Sequence, residues 1–133
     1  MRKMALLAVA IALLSATTAE GQVIPRDGTV LSGRALRLHF ATSINPDCSL
    51  SGRPTIRITR APEHGRVTVT QARDFPNYPT SNVRSVCNTR RVGGTAVIYQ
   101  SQRGFVGTDN LQDDTIFPDG HVTQHSSTIT VIP

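Results

Sequence analysis

The feature that most limits what this chain can become is its periodicity. Apolar and polar residues alternate in short runs rich in Val, Ile and Thr, and Gly, Pro, Asn and Asp interrupt the runs at close intervals. Beyond residue 19 no segment places apolar residues at i, i+3, i+4 and i+7, the stripe that an amphipathic helix needs. A period of two sends successive side chains to opposite faces, so each run builds a strand with one apolar face. About seven such strands separated by turns predict an all-β Greek-key sandwich.

In chain order, Val23-Ile24-Pro25 begins an extended lead, Arg26-Asp27-Gly28 turns it, and Thr29 to Leu31 is a short edge strand. Ala35 to Phe40 alternates, which predicts Leu36, Leu38 and Phe40 inward and Arg37 and His39 towards solvent. Ile44 to Pro54 reads as a loop. Thr55 to Thr59 and Arg66 to Thr70 flank Pro62-Glu63-His64-Gly65, and the pattern predicts a β-hairpin in which Gly65 takes a positive φ. Ala72 to Gly94 lacks clear strand character, unusual at that length in a small domain, so it reads as a functional or tethered loop. Thr95 to Gln100 is the next strand. Gly104-Phe105-Val106-Gly107-Thr108-Asp109 then reads as a tight corner, with Phe105 turned inward and Asp109 able to accept backbone N–H bonds. Thr115 to Phe117 and Thr128 to Ile132 are the closing strands, with Pro118-Asp119-Gly120 between them and the last strand beginning near His121.

The N-terminus reads as a signal peptide. Arg2 and Lys3 precede an apolar run from Met4 to Leu14, and small residues follow it. That run is shorter than the roughly 20 residues of a membrane-spanning helix. Cleavage after Ala19, with Gly21 as a second cleavage point, leaves residues 20–133 as a single domain. Removing Arg2 and Lys3 from the 14 basic residues leaves twelve against nine acidic ones, a net charge of +3 with no lysine. So weak and scattered a charge argues against nucleic acid as a partner. Cys48 and Cys87, 39 positions apart, are expected to form a disulfide in the oxidising compartment beyond the membrane. The expected location is therefore periplasmic or secreted, and the expected state a monomer.

The run Thr59-Arg60-Ala61-Pro62-Glu63-His64-Gly65-Arg66-Val67, the segment Val97-Ile98-Tyr99, the Gly104–Asp109 corner and the closing Thr128-Ile129-Thr130-Val131 follow one another at telling intervals. Together, from about Pro54 to the C-terminus, they resemble the bacterial immunoglobulin-like and cadherin-like extracellular modules. The resemblance implies an immunoglobulin-like sandwich and an adhesive, spacer or interaction role. The chain departs from that pattern at Asn110-Leu111-Gln112-Asp113, where aromatic residues are usual, and in its cysteine-bearing loop. The loop, with Asn82, Arg84, Cys87, Asn88 and Arg90, resembles that of small single-domain exported proteobacterial proteins, a likeness that brings no activity with it.

Candidate chemistry is sparse. Asp109, Asp113, Asp114 and Asp119 are weak calcium candidates, since calcium takes about six to eight oxygens and cadherin-like modules bind it at sandwich ends. Their spacing fits no EF-hand, and Asp109 has its corner to hold. His121 and His125 would share one strand face about 13 Å apart, too far for one zinc, and His39 and His64 are scattered. No metal or cofactor is therefore expected. No nucleophile elbow, phosphate loop or paired catalytic carboxylates are present, so no enzyme is expected. The candidate binding surface is the middle loop, where Phe75, Tyr78, Arg84, Arg90 and Arg91 combine aromatic rings with guanidinium groups. These readings predict an exported, non-enzymatic binding or structural module for a protein or cell-envelope ligand. A calcium-dependent adhesion domain and a small periplasmic hydrolase are the alternatives.

Overall fold

A computed structural model describes residues 22–133; the expected signal peptide, at either cleavage point, lies outside the described residues. The described chain is all-β apart from one short 3-10 helix. Its strands are β1 (Val23–Leu31), β2 (Ala35–Ala41), β3 (Ser43–Ile44), β4 (Leu50–Gly52), β5 (Thr55–Arg60), β6 (Gly65–Asp74), β7 (Val92–Ser101), β8 (Gly107–Ile116) and β9 (Val122–Ile132). The 3-10 helix spans Val83–Thr89. Among the described residues no helix is long and apolar enough to cross a membrane.

Two sheets share a core. One has the order β1-β9-β8-β5 and the other β2-β7-β6, while β3 and β4 form a small ribbon. β1 runs parallel to β9, and every other pairing is antiparallel. Val30, Leu111, Ile129 and Val131 of the first sheet pack against Tyr99 of the second, with Leu36, Leu38, Val67 and Phe105 around them. Ile56, Ala41 and Val97 continue this core between the sheets.

The expected hairpin of β5 with β6 does not form. β5 pairs with β8 and β6 with β7, so Ala61 to His64 is a crossing from one sheet to the other. The buried carboxylate of Asp109 fixes that crossing, accepting the backbone N–H groups of Glu63 (3.1 Å) and His64 (3.0 Å) and the Tyr99 hydroxyl (2.7 Å). Nor does Gly65 take a positive φ. Its lack of a side chain matters because a Cβ there would lie 2.5 Å from both the Tyr99 ring and the Gln100 carbonyl oxygen. The Gly104–Asp109 corner does form, with φ of 89° at Gly104 and 145° at Gly107, and the Phe105 ring stacks on His64 at 4.1 Å.

Two further expectations need correction. His39 is buried rather than solvent-facing, because Leu38 is an extra residue in β2: Arg37 pairs with Ile98 and His39 with Val97. This bulge turns both Leu38 and His39 inward and sends Phe40 to the opposite face, against Ile44, Cys87 and Val92. Residues 72–94 are also more ordered than their composition suggests. β6 runs on to Asp74, β7 starts at Val92, and the 3-10 helix lies between. The expected disulfide between Cys48 and Cys87 is present and anchors that helix to the β3–β4 ribbon.

Two stability effects follow. Tyr99→Phe should cost about 2 kcal/mol, since Asp109 stays buried with one donor fewer, and Asp109→Ala about 3 kcal/mol or more, read from urea unfolding. Replacing Cys48 and Cys87 by Ala should cost about 4 kcal/mol by the chain-entropy estimate, with the urea midpoint as readout.

Candidate functional site

The inner faces of β8 and β9 change character along their length. On β8 the buried inward positions read Asp109, Leu111, Asp113, Thr115, and on β9 they read His125, Ser127, Ile129, Val131. The pairing sets Gly107 beside Val131 and Asp109 beside Ile129 at one end, and Asp113 beside His125 and Thr115 beside Thr123 at the other. One end of the core is therefore mainly apolar around the Asp109 carboxylate and the other gathers polar side chains, although both lie between the sheets.

At the polar end three side chains from three strands meet. His39, brought inward by the β2 bulge, directs Nε2 at both Asp113 carboxylate oxygens, at 3.2 and 3.1 Å. His125 directs Nδ1 at Asp113 Oδ2 from 3.2 Å. The two imidazole centroids lie 4.5 Å apart with planes inclined at 41°. Exposure of the three side chains is 2% for His39, 0% for Asp113 and 6% for His125. Burial by itself raises the Asp113 carboxyl, but the hydrogen bonds from His125 and His39, with their charge, outweigh it and hold it at about 2 against an ordinary 3.8. Two positions along the same faces, Thr115 Oγ1 and Ser127 Oγ are buried with no hydrogen-bond partner among the described residues.

His39 and His125 line the floor of a cleft of about 770 Å³, whose wall includes Phe75, Tyr78 and Arg84 of the middle segment. Asp113 and His125 also border a smaller hollow of about 280 Å³. The cleft wall is pinned: Arg84 Nε donates to the Ile44 carbonyl (2.7 Å), and the Asn88 side chain bonds both the N–H and the carbonyl of Tyr78, each at 2.9 Å. Arg37 of β2 pairs with Asp74 at the rim.

The structure thus gathers three of the five expected loop residues at one cleft. Phe75 (53% exposed), Tyr78 and Arg84 line it, whereas Arg90 and Arg91 do not, Arg91 being tied to the Arg73 carbonyl on the outer side. The four aspartates do not converge. Asp109 holds the corner, Asp113 faces the histidines, Asp114 pairs with Arg57 at 2.9 Å and Asp119 pairs with His121 in the β8–β9 turn. Sequence reasoning missed the meeting of His39 with His125, having placed His39 on the solvent side. The available signal was the period of two through Asp109, Leu111, Asp113 and Thr115, which marks residues 109–115 as strand.

No family model and no curated protein matches the chain. It is similar to a solved structure titled "Solution Structure of Amebosin", at 9% identity over 84% of this chain and 100% of that one, with a TM-score of 0.37. A likeness at that level carries nothing over to this chain.

The buried cluster makes acid stability testable. The folded-state value of Asp113 lies below its ordinary one, so its contribution is complete above about pH 4 and is lost as pH falls through about 2. His39 of β2 and His125 of β9 face the carboxylate, and its neighbour on β5 is Ile58, which carries no charge. Chemical unfolding between pH 5 and pH 2 should therefore show a fall that is smaller by about 2 kcal/mol in Asp113→Asn than in the parent chain.

Proposed function

We propose that the protein is an exported, non-enzymatic binding module of immunoglobulin-like build, which takes part of a partner protein into the cleft bounded by Phe75, Tyr78 and Arg84. The topology supports the build. With β2, β5, β6, β7, β8 and β9 taken as strands B to G, the orders B-E-D and C-F-G of an immunoglobulin constant-type sandwich are reproduced, with the first strand moved to the G edge. The disulfide supports export, because such bonds persist in oxidising compartments.

The observation that carries the binding reading is the fixed wall of the cleft. Its aromatic and guanidinium side chains are of the types that dominate binding energy at interfaces. The disulfide, the Asn88–Tyr78 pair and the Arg84–Ile44 bond hold the segment in place before a ligand arrives, which lowers the ordering cost of association.

Photo-crosslinking from within the cell envelope tests this reading. A crosslinking residue at position 75 or 77 should give discrete protein adducts, while one at the exposed position 110 on β8 should not. Adducts of equal yield at all three positions, or none at 75 and 77, would overturn it. Phe75→Ser should abolish the adduct formed from position 77 and leave the melting temperature within a few degrees of the parent.

A further inference from the structure

We infer that His39, Asp113 and His125 form a binding site for a divalent transition-metal ion of the zinc class, with one coordination position left towards the cleft. Among the described residues they are the one group of three or more His, Cys, Asp or Glu side chains whose ligand atoms converge, all within 4.8 Å of one another. Two imidazole nitrogens and a carboxylate oxygen are the donor types that zinc takes at sites keeping a fourth position open.

Two of the three donor spacings already match an ion, and the third lies within 4.8 Å. With metal–ligand bonds of about 2.0–2.2 Å, neighbouring donors on a tetrahedron stand roughly 3.3 Å apart. The two histidine-to-Asp113 distances are 3.1 and 3.2 Å. Binding would replace the two contacts to Asp113 by one carboxylate bond and two nitrogen bonds to the metal, the proton on each ligating nitrogen passing to the ring's other nitrogen in a neutral imidazole or to solvent from an imidazolium. The donor set brings one negative charge against two positive ones, so the open position suits water, hydroxide or an anionic group.

The surroundings point the same way. Buried hydroxyl groups nearly always find partners, yet Thr115 Oγ1 and Ser127 Oγ have none among the described residues. Thr115 follows Asp113 on the same face of β8, and Ser127 follows His125 on the same face of β9, so the two flank the donors. Water or an anion held on a metal would give such a hydroxyl its missing partner. Entry is available, since His39 and His125 reach the larger cleft and Asp113 and His125 the smaller hollow. This site does not depend on the protein partner proposed for the cleft.

The test is calorimetric titration of the metal-freed, oxidised chain with Zn²⁺, paired with the visible absorption of Co²⁺ as a report on coordination. One equivalent should bind, and Co²⁺ should give the intense bands of a four-coordinate nitrogen–oxygen site. His39→Gln and His125→Gln should each weaken binding by more than about 100-fold, and Thr115→Val by about tenfold. His121→Gln, which breaks the exposed Asp119–His121 pair, should leave it unchanged. Absence of one-to-one binding, or binding that survives loss of His39 and disappears with His121, would overturn the site. Because the core variants can fail to fold, ring-nitrogen NMR of the parent chain gives an independent reading. Zn²⁺ must shift His39 Nε2 and His125 Nδ1; shifts confined to His64 and His121 would overturn the inference equally.

Discussion

One carboxylate holds the architecture in register. Asp109 stands at the start of β8 in the four-stranded sheet, yet its bonds go to the Glu63–His64 backbone and to Tyr99 in the three-stranded sheet. A buried polar group persists where its acceptor capacity is filled, and here the donors come from two separated stretches of chain. Burial and the neighbouring carboxylate hold the Tyr99 phenol well above its ordinary value, so it stays protonated and keeps donating. The crossing from β5 to β6, the corner before β8 and the approach of Gly65 to the Tyr99 ring are all consequences of this one arrangement. With the sheets so placed, β2 lies over β8 and β9, and His39 comes within reach of Asp113.

Much of the fold was legible from the period of two, and what was hidden came from non-local partners. The runs at Ala35–Phe40, Thr55–Thr59, Arg66–Thr70, Thr95–Gln100 and Thr128–Ile132 are all strand, because β-branched alternation is a local preference that tertiary packing reinforced. Residues 110–114, between the expected corner and the expected strand at Thr115, carry little strand signal because four of the five are Asn, Gln or Asp. They form a central strand because each buried acid meets its own partner elsewhere: Asp109 the crossing, Asp113 the histidines, Asp114 Arg57. The hairpin expectation failed similarly. A short turn with glycine suits a hairpin and a sheet-to-sheet crossing equally, and only the Asp109 bonds decide between them.

The site was less visible than the fold. Phe75, Tyr78 and Arg84 declared themselves by residue type, and the disulfide that positions them by count and compartment. The His39–Asp113–His125 cluster is assembled from positions 74 and 12 residues apart in sequence, and no local pattern reports such a meeting. Its visibility also depended on the bulge in β2, which reverses the facing that simple alternation assigns to His39.

That bulge gives the cluster an unusual independence from its scaffold. The extra residue is inserted in an outer strand of the three-stranded sheet, and the pairing of β6 with β7 and of β8 with β9 runs unbroken beside it. A chain one residue shorter at Leu38 would recover plain alternation with its histidine still paired to Val97, so the histidine would keep its inward facing and the remaining strands their register. The facing of the third donor is therefore set by its pairing with Val97, and the extra residue changes only what fills the core beside it. A lineage of such domains could lose or regain that leucine, through the smallest deletion or insertion a gene can make, without turning the histidine away from its carboxylate partner.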